Sequence, residues 1–339
     1  MQQPVRYIHI GYPKAASTAL QTHLFAKHGS LYHLGAGSGG TVANYIDDEM
    51  MVDVEVSLRT EKESVYQRAR TIENFERHFV KAKELGKLAV GLSSESLSFT
   101  MHHDIDPAQK AARLQEIFGA ETRIIIVIRN QWDLLKSLYR EYVLGGLHVD
   151  YAEFAYSIYY NQARSCLYDL NYAYTITLYR QLFGADNVLV VTFEDLQRSP
   201  DKVLGQIQQH LEIPVEITRL PKANTREDDV FLETVRRLNC AVRPNHARSV
   251  IEPIGAFRYP SYFEQRLGVP VDARILEDQR YIDSIRDVAK PASLPYPIPA
   301  LDYSLDPLIE KKTDELFGEW NKALDSLTAI NTFELGYPS

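Results

Sequence analysis

The sequence is short of the residues that build stapled or metal-held folds. Only two of its 339 residues are cysteines, Cys166 and Cys240. Two thiols fall short of a disulfide framework or a cysteine-built zinc site, and they read as free and buried. The ten histidines are scattered, and no H-x-x-x-H pair sets two of them on one helical face, so no metal is expected. Basic charge is not in excess. Lys and Arg total 37 against 45 Asp and Glu, a net charge of −8. That balance argues against a general nucleic-acid surface, but a small anionic ligand needs only a local positive pocket. No run of 18 apolar residues exists to span a membrane. The first residues show no charged-then-apolar secretory pattern, so the expected compartment is the cytoplasm. There is no N-x-[ST] acceptor, internal repeat or low-complexity tract.

What is present is ordinary for a globular chain: 45% apolar and 24% charged residues. The length suits two domains or one large α/β domain, with enough surface buried to need no staples. Val5 to Ile10 is a β-rich run that stops at Gly11-Tyr12-Pro13. A helical pattern follows from Ala15, with Ala16, Leu20 and Leu24 on one face. Gly29 to Gly40 reads as a glycine-rich loop, and residues 60 to 86 as a charged helix. Leu88 to Leu92 is a strand running into Ser93-Ser94-Glu95, and a helix opens at Pro107. Thr122 to Arg129 is continuously apolar at its centre, as a parallel strand buried on both faces must be. Helices are expected from Trp132 to Leu144, over 151–183 and from Pro200 to Leu211, with a strand from Val188 to Phe193. Residues 307–328 form one amphipathic helix. This alternation predicts an α/β, P-loop-like, three-layer fold with a central parallel sheet. Residues 1–227 would form a nucleotide-binding core, and residues 228–339 a mainly helical C-terminal extension packed on it.

The first strand, Gly11 to Thr18 and the following helix have the layout of a phosphate-binding loop, in which backbone N–H groups and a helix start converge on an anion. Aligned on the pattern G-x-x-x-x-G-K-[ST], Ala16 stands at the second glycine and Ser17 at the lysine. The lysine of this loop is Lys14, three positions earlier, so a kinase or nucleoside triphosphatase loses its phosphate lysine. A second anion site is suggested about 110 residues on, where a strand ends in Arg129-Asn130 and Ser137 follows on a helix. Ligands of open α/β sheets bind beyond the carboxyl ends of strands. Arginine offers a planar fork for phosphate there, and serine a hydroxyl.

Together these segments resemble the sulfotransferases that use 3′-phosphoadenosine 5′-phosphosulfate (PAPS). Tyr12-Pro13-Lys14-Ala15-Ala16-Ser17-Thr18 is similar to that family's 5′-phosphosulfate loop. Arg129-Asn130-Gln131-Trp132-Asp133 with Ser137-Leu138-Tyr139 is similar to its 3′-phosphate segment. Phe193-Glu194-Asp195-Leu196 with Ser199-Pro200 resembles its later strand and turn. Ala15-Ala16 stands in place of the usual Ser-Gly, and Gln131 in place of Pro. The R-K-G-x-x-G-D-W-K segment of the steroid and phenol branch is absent, so the chain looks closer to the bacterial and carbohydrate branches. There Asn224-Thr225-Arg226 would lie near the nucleotide. The resemblance covers residues 5–226. It implies PAPS as co-substrate, no metal, and a small-molecule or glycan hydroxyl or amine as acceptor.

The resemblance gives Lys14 the task of stabilising charge on the bridging oxygen. Glu95 stands directly after a strand at the sheet's carboxyl edge and is a candidate general base, with a helix-capping glutamate as the plain alternative. His102 and His103 are rival bases, and His9 reads as a core histidine. Tyr156, Tyr159, Tyr160, Tyr168, Tyr172 and Tyr179 could line an acceptor pocket or simply pack. Trp132 is open between adenine and packing. A P-loop kinase or triphosphatase and a non-catalytic nucleotide-binding homologue are the alternatives to a transferase.

Overall fold

The structure, a computed structural model, describes residues 3–37, 44–100, 104–216, 220, 228–242, 289 and 297–339. Contacts group the chain into two compact units. One comprises Met1–Leu134, Ala163–Ala223 and Asp314–Ser339; the other comprises Leu135–Gln162 and Asn224–Thr313.

The first unit holds the sheet. Its strands are β1 (Val5–His9), β2 (Leu31–Gly37), β3 (Asn44–Tyr45), β4 (Ala89–Ser94), β5 (Arg123–Ile128) and β6 (Val188–Thr192). Their spatial order is β3-β2-β4-β1-β5-β6. Every pairing is parallel except the short β2–β3 contact. Ile124 to Ile128 are all fully buried, as the unbroken apolar run requires. The α/β class and the central parallel sheet expected from the sequence are therefore present.

Helix α1 spans Ser17–Leu20 and continues as a π-helical segment, Gln21–Phe25. Then come α2 (Asp48–Val52, prolonged as π-helix Asp53–Leu58), α3 (Arg68–Glu84) and α4 (Pro107–Phe118). The α4 start has Pro107 in its first turn and Asp106 capping the Ala108 N–H at 2.8 Å. Helix α5 is Gln131–Leu144, with Asn130 Oδ1 accepting from Asp133 N–H at 3.2 Å. Helices α6 (Tyr151–Asn161), α7 (Tyr172–Phe183), α8 (Phe193–Arg198), α9 (Pro200–His210), α10 (Asp229–Val242) and α11 (Pro307–Leu327) follow.

Three expectations are corrected. Gly29 to Gly40 is not a loop throughout, because Leu31–Gly37 pairs with β4 from Leu31↔Ala89 to Gly37↔Ser94. Gly35 and Gly37 serve close packing rather than a turn: a Cβ on Gly35, whose φ is 133°, would fall 2.4 Å from the Tyr45 Cα, and one on Gly37 2.3 Å from Glu55 Oε1; residues 38–40 lie outside the described residues. Residues 151–183 are not one helical stretch. Gln162 (φ 48°) ends α6, short 3₁₀ turns intervene, and Asn171 caps α7. The cysteines are free but not both buried, since Cys240 is exposed and Cys166 half-buried.

The second unit has its own aromatic cluster. Tyr151 meets Tyr139 and Tyr303 edge-on, and Phe154 lies against both Tyr139 and Tyr151. Asp229 accepts from Arg140 and from the Tyr303 hydroxyl. Among the described residues no helix is long and apolar enough to cross a membrane.

Candidate active site

The turn after β1 is set by two non-glycine residues with positive φ, Lys14 at 62° and Ala16 at 64°. A left-handed conformation costs such residues about 1–2 kcal/mol, and strain of this kind gathers at ligand loops. Ala16 takes the conformation for which related loops use glycine. It is also the N-cap of α1 and supplies no side-chain cap. No Ala16 oxygen therefore occupies the first N–H groups of the helix, an arrangement suited to an anion. Gly11 is required sterically, because a Cβ there would lie 2.6 Å from His9 Nε2 and 3.1 Å from Ser17 Oγ.

Other residues of the loop hold its shape. The Tyr12 ring is fully buried, packs edge-on against Tyr172 at 4.6 Å, and donates its hydroxyl to Thr175 at 2.9 Å. Its N–H bonds Val127 O, and its carbonyl accepts from Ser17 Oγ and Ala15 N–H. Side chain and main chain of Tyr12 are thus both committed to holding the loop. Pro13 and Ala15 are buried, and Thr18 is exposed at the helix start.

Arg129 is buried at the carboxyl end of β5, and its Nη1 donates to the Lys14 carbonyl at 2.7 Å. The guanidinium lies 4.5 Å over the Phe193 ring, and the Arg129 carbonyl accepts from the Tyr172 hydroxyl at 2.6 Å. The arginine therefore supports the strained loop directly. Glu194 accepts the Asn130 N–H at 3.0 Å and the Tyr337 hydroxyl at 3.0 Å, which ties the end of the chain to this strand exit.

Glu95 opens a short 3₁₀ turn at the end of β4 and is 5% exposed. Its Oε2 accepts from Gln21 Nε2 at 3.1 Å. The turn is fixed on both sides. Ser98 Oγ lies 2.7 Å from Ile10 O and 2.8 Å from Gly11 O. Lys110 Nζ donates to Ser96 O, Phe99 O and the Asp104 carboxylate. Lys14 feels both neighbours: burial lowers its pKa, the Glu95 carboxylate opposes that shift, and the Arg129 cation adds to it. Lys14, Glu95 and Arg129 thus form one electrostatic group at the carboxyl edge of the sheet. Such a group can hold an anion on its cations while a carboxylate beside them accepts a proton.

The remaining candidates divide. Ser137 is half-buried on α5, six residues beyond Gln131, and belongs to the second compact unit. His102, His103 and Asn224-Thr225-Arg226 lie outside the described residues. His9 is a core residue of β1, as expected. Trp132 packs, with Nε1 donating to Asp314 at 2.7 Å and its ring edge-on to Phe317. Tyr172 and Tyr179 are core residues, whereas Tyr156 and Tyr160 stack with Tyr160 exposed. Sequence reasoning missed Gln21, Ser98 and Lys110. Their signal was slight: a polar residue beside the apolar stripe of α1, and a serine three positions after Glu95.

No group of three or more His, Cys, Asp or Glu side chains among the described residues could hold a metal ion. A mostly parallel sheet with a tight loop between its first strand and α1, and an arginine at the exit of the neighbouring strand, is a P-loop-like α/β fold. The chain belongs to the sulfotransferase domain family, whose model matches residues 6–238, and it is a transferase. No curated protein matches it. A sulfotransferase from Alicyclobacillus acidocaldarius aligns over 71% of this chain and 94% of its own, with 17% identity and a TM-score of 0.46. The sulfotransferase domain of the Synechococcus PCC 7002 olefin synthase aligns over 93% and 95%, with 16% identity and a TM-score of 0.37. A mouse sulfotransferase complexed with PAP aligns over 64% and 61%, with 12% identity and a TM-score of 0.35.

Proposed function

We propose that the protein transfers a sulfuryl group from PAPS to a hydroxyl or amine acceptor, a small molecule or a glycan. The observation that carries this reading is the meeting of Lys14, Arg129 and Glu95 at the carboxyl edge of the sheet, where Arg129 Nη1 donates to the Lys14 carbonyl at 2.7 Å beside the start of α1. In this reading Tyr12, Pro13, Lys14, Ala15, Ala16, Ser17 and Thr18 cradle the 5′-phosphosulfate. Arg129 serves the nucleotide's 3′-phosphate, the role for which the resemblance also names Ser137 and, near the nucleotide, Arg226. The acceptor oxygen attacks sulfur in line, the bond from sulfur to the bridging oxygen breaks, and the bisphosphate nucleotide leaves with the electron pair. The acceptor's proton passes to Glu95, and Lys14 stabilises the charge that develops on the bridging oxygen. Fixed cations and positioning supply most of the acceleration, as in phosphoryl transfer. Residues 228–339 serve as an extension to this core, and the cytoplasm is the proposed compartment.

The test is a transfer assay with labelled PAPS and three acceptors: glucose, phenol and ethanolamine. Glu95→Gln should bind 3′-phosphoadenosine 5′-phosphate (PAP) like the wild type and lose roughly 10²-fold or more in rate. Lys14→Ala should lose more turnover than PAP affinity, because the charge it meets appears only as the bond breaks. Near-wild-type activity in Glu95→Gln, with His102→Ala or His103→Ala inactive, would give the base role to a histidine. Magnesium-dependent ATP turnover in place of transfer would overturn the whole reading.

A further inference from the structure

We infer that Gln21 is a positioning residue for Glu95: its amide orients the carboxylate and, through Ser93, fixes the tautomer of His9 beside the anion loop. This rests on the reading of Glu95 as the proton acceptor. Gln21 begins the π-helical part of the first helix, where Ala26 N–H reaches back to the Gln21 carbonyl at 3.0 Å. A π turn shifts side-chain directions relative to an α-helix and is frequent at functional sites. Gln21 is 3% exposed, and its Nε2 lies 3.1 Å from Glu95 Oε2, 3.0 Å from Ser93 Oγ and 3.4 Å from Gly37 O.

The chemistry of these partners orients the amide. An ionised carboxylate and a backbone carbonyl only accept, so the NH₂ end of Gln21 must face them. The amide also faces Ser93 Oγ at 3.0 Å, and Ser93 Oγ lies 2.7 Å from His9 Nδ1; the proposed arrangement has the Ser93 hydroxyl donating to that nitrogen. His9 is neutral, because burial pushes its pKa down to about 3, with the nearby His33 adding to the shift. A neutral imidazole that accepts at Nδ1 carries its proton on Nε2. That nitrogen lies 2.6 Å from the position a Gly11 Cβ would take. One chain of contacts therefore runs from Glu95 through Gln21 and Ser93 to His9, whose ring fills the space beside Gly11.

Donation from Gln21 favours the charged form of Glu95 and restricts its rotamer. The other charged groups around this turn include Lys14 and Arg129 from the loop and β5, Lys110 with Asp104 behind the turn, and Glu55 at Gly37 with its partner Arg59. All of them remain in a Gln21 variant, so its effect isolates the amide.

Gln21→Met keeps the length and removes the donor. Assayed with labelled PAPS and the best acceptor of the three above, it should keep PAP affinity within about twofold. The acidic limb of its kcat profile should move up by about one pH unit, which is about tenfold in rate below the limb, with recovery at alkaline pH. Ser93→Ala should leave that limb in place. ¹⁵N NMR of histidine-labelled wild type should show His9 as the Nε2–H tautomer, and Ser93→Ala should lose that preference. This second measurement decides the matter if Gln21→Met does not fold, and an Nδ1–H tautomer in the wild type overturns the proposal. An unmoved limb in folded Gln21→Met, with Glu95→Gln inactive, sinks the role of Gln21 alone. An active Glu95→Gln sinks the base reading and this inference with it.

Discussion

The carboxyl ends of β4 and β5 carry the two halves of the candidate site, and they are held by different means. The β4 exit is held by buried ions. Lys110, fully buried, binds two carbonyls and Asp104, and Asp104 also meets Arg59, which pairs with Glu55. The β5 exit is held mainly by neutral donors from distant parts of the chain. Tyr172 bonds the Arg129 carbonyl, Asn130 Nδ2 bonds Gly336 O at 2.6 Å, and the Tyr337 hydroxyl bonds Glu194. Removing one member of a buried ion network strands its partners, whereas a neutral hydrogen bond contributes little net stability. The β4 exit should therefore be the brittle half and the β5 exit the tolerant one.

Lys110→Met should show the largest effect. It leaves the Ser96 and Phe99 carbonyls without their donor and Asp104 with one cation fewer, at a cost of about 3 kcal/mol or more. Urea denaturation measures this, and a loss below about 1 kcal/mol would erase the contrast between the two exits.

Acid should act next, and through the β1–β4 side. His9 titrates near its ordinary 6.5 in the unfolded chain but only at about 3 in the folded protein. The unfolded state therefore binds the extra proton between those values, and stability falls as pH drops through that window. The loss attributable to His9 reaches roughly 3 kcal/mol at pH 4. Asp169 has the opposite sign. Burial raises its carboxyl to about 6, so the folded state gains from protonation as pH falls from there. Comparing wild type with His9→Gln by thermal denaturation at pH 7 and pH 4.5 separates the two. The variant should lose less stability on acidification, and equal losses would assign the acid response elsewhere.

Tyr337→Phe should show the smallest effect, about 1.5–2 kcal/mol, because it deletes one hydroxyl that donates to the Glu194 carboxylate at the β5 exit. A loss as large as that of Lys110→Met would mean that the C-terminal residues hold this strand exit far more tightly than one hydroxyl bond implies.

Much of the anion side was legible in the chain. The run Ile124 to Ile128 announces a doubly buried strand because both faces demand apolar residues, and Arg129 follows at its end. The loop from Gly11 to Thr18 was legible for the same local reason. The β4 side was only partly so. Glu95 stood out by following a strand, but Gln21, Ser98 and Lys110 carry no periodic signal, since each is a polar residue defined by a partner elsewhere. The glycines of residues 29–40 misled, because a turn and a tightly paired strand ask for the same residue.

The alternation of β1, β4, β5 and β6 with helices, the loop from Gly11 to Thr18 and the arginine at the exit of β5 were determined by the sequence alone. Those features rest on interactions within a few residues, which pattern and turn chemistry express directly. Tertiary structure decided the rest. It brought Lys14, Glu95 and Arg129 together from three strand ends, turned Gln21 inward at a π segment and set a buried lysine behind the Glu95 turn. Each of these depends on contacts between residues tens of positions apart, whose distances are set only when the sheet closes its register.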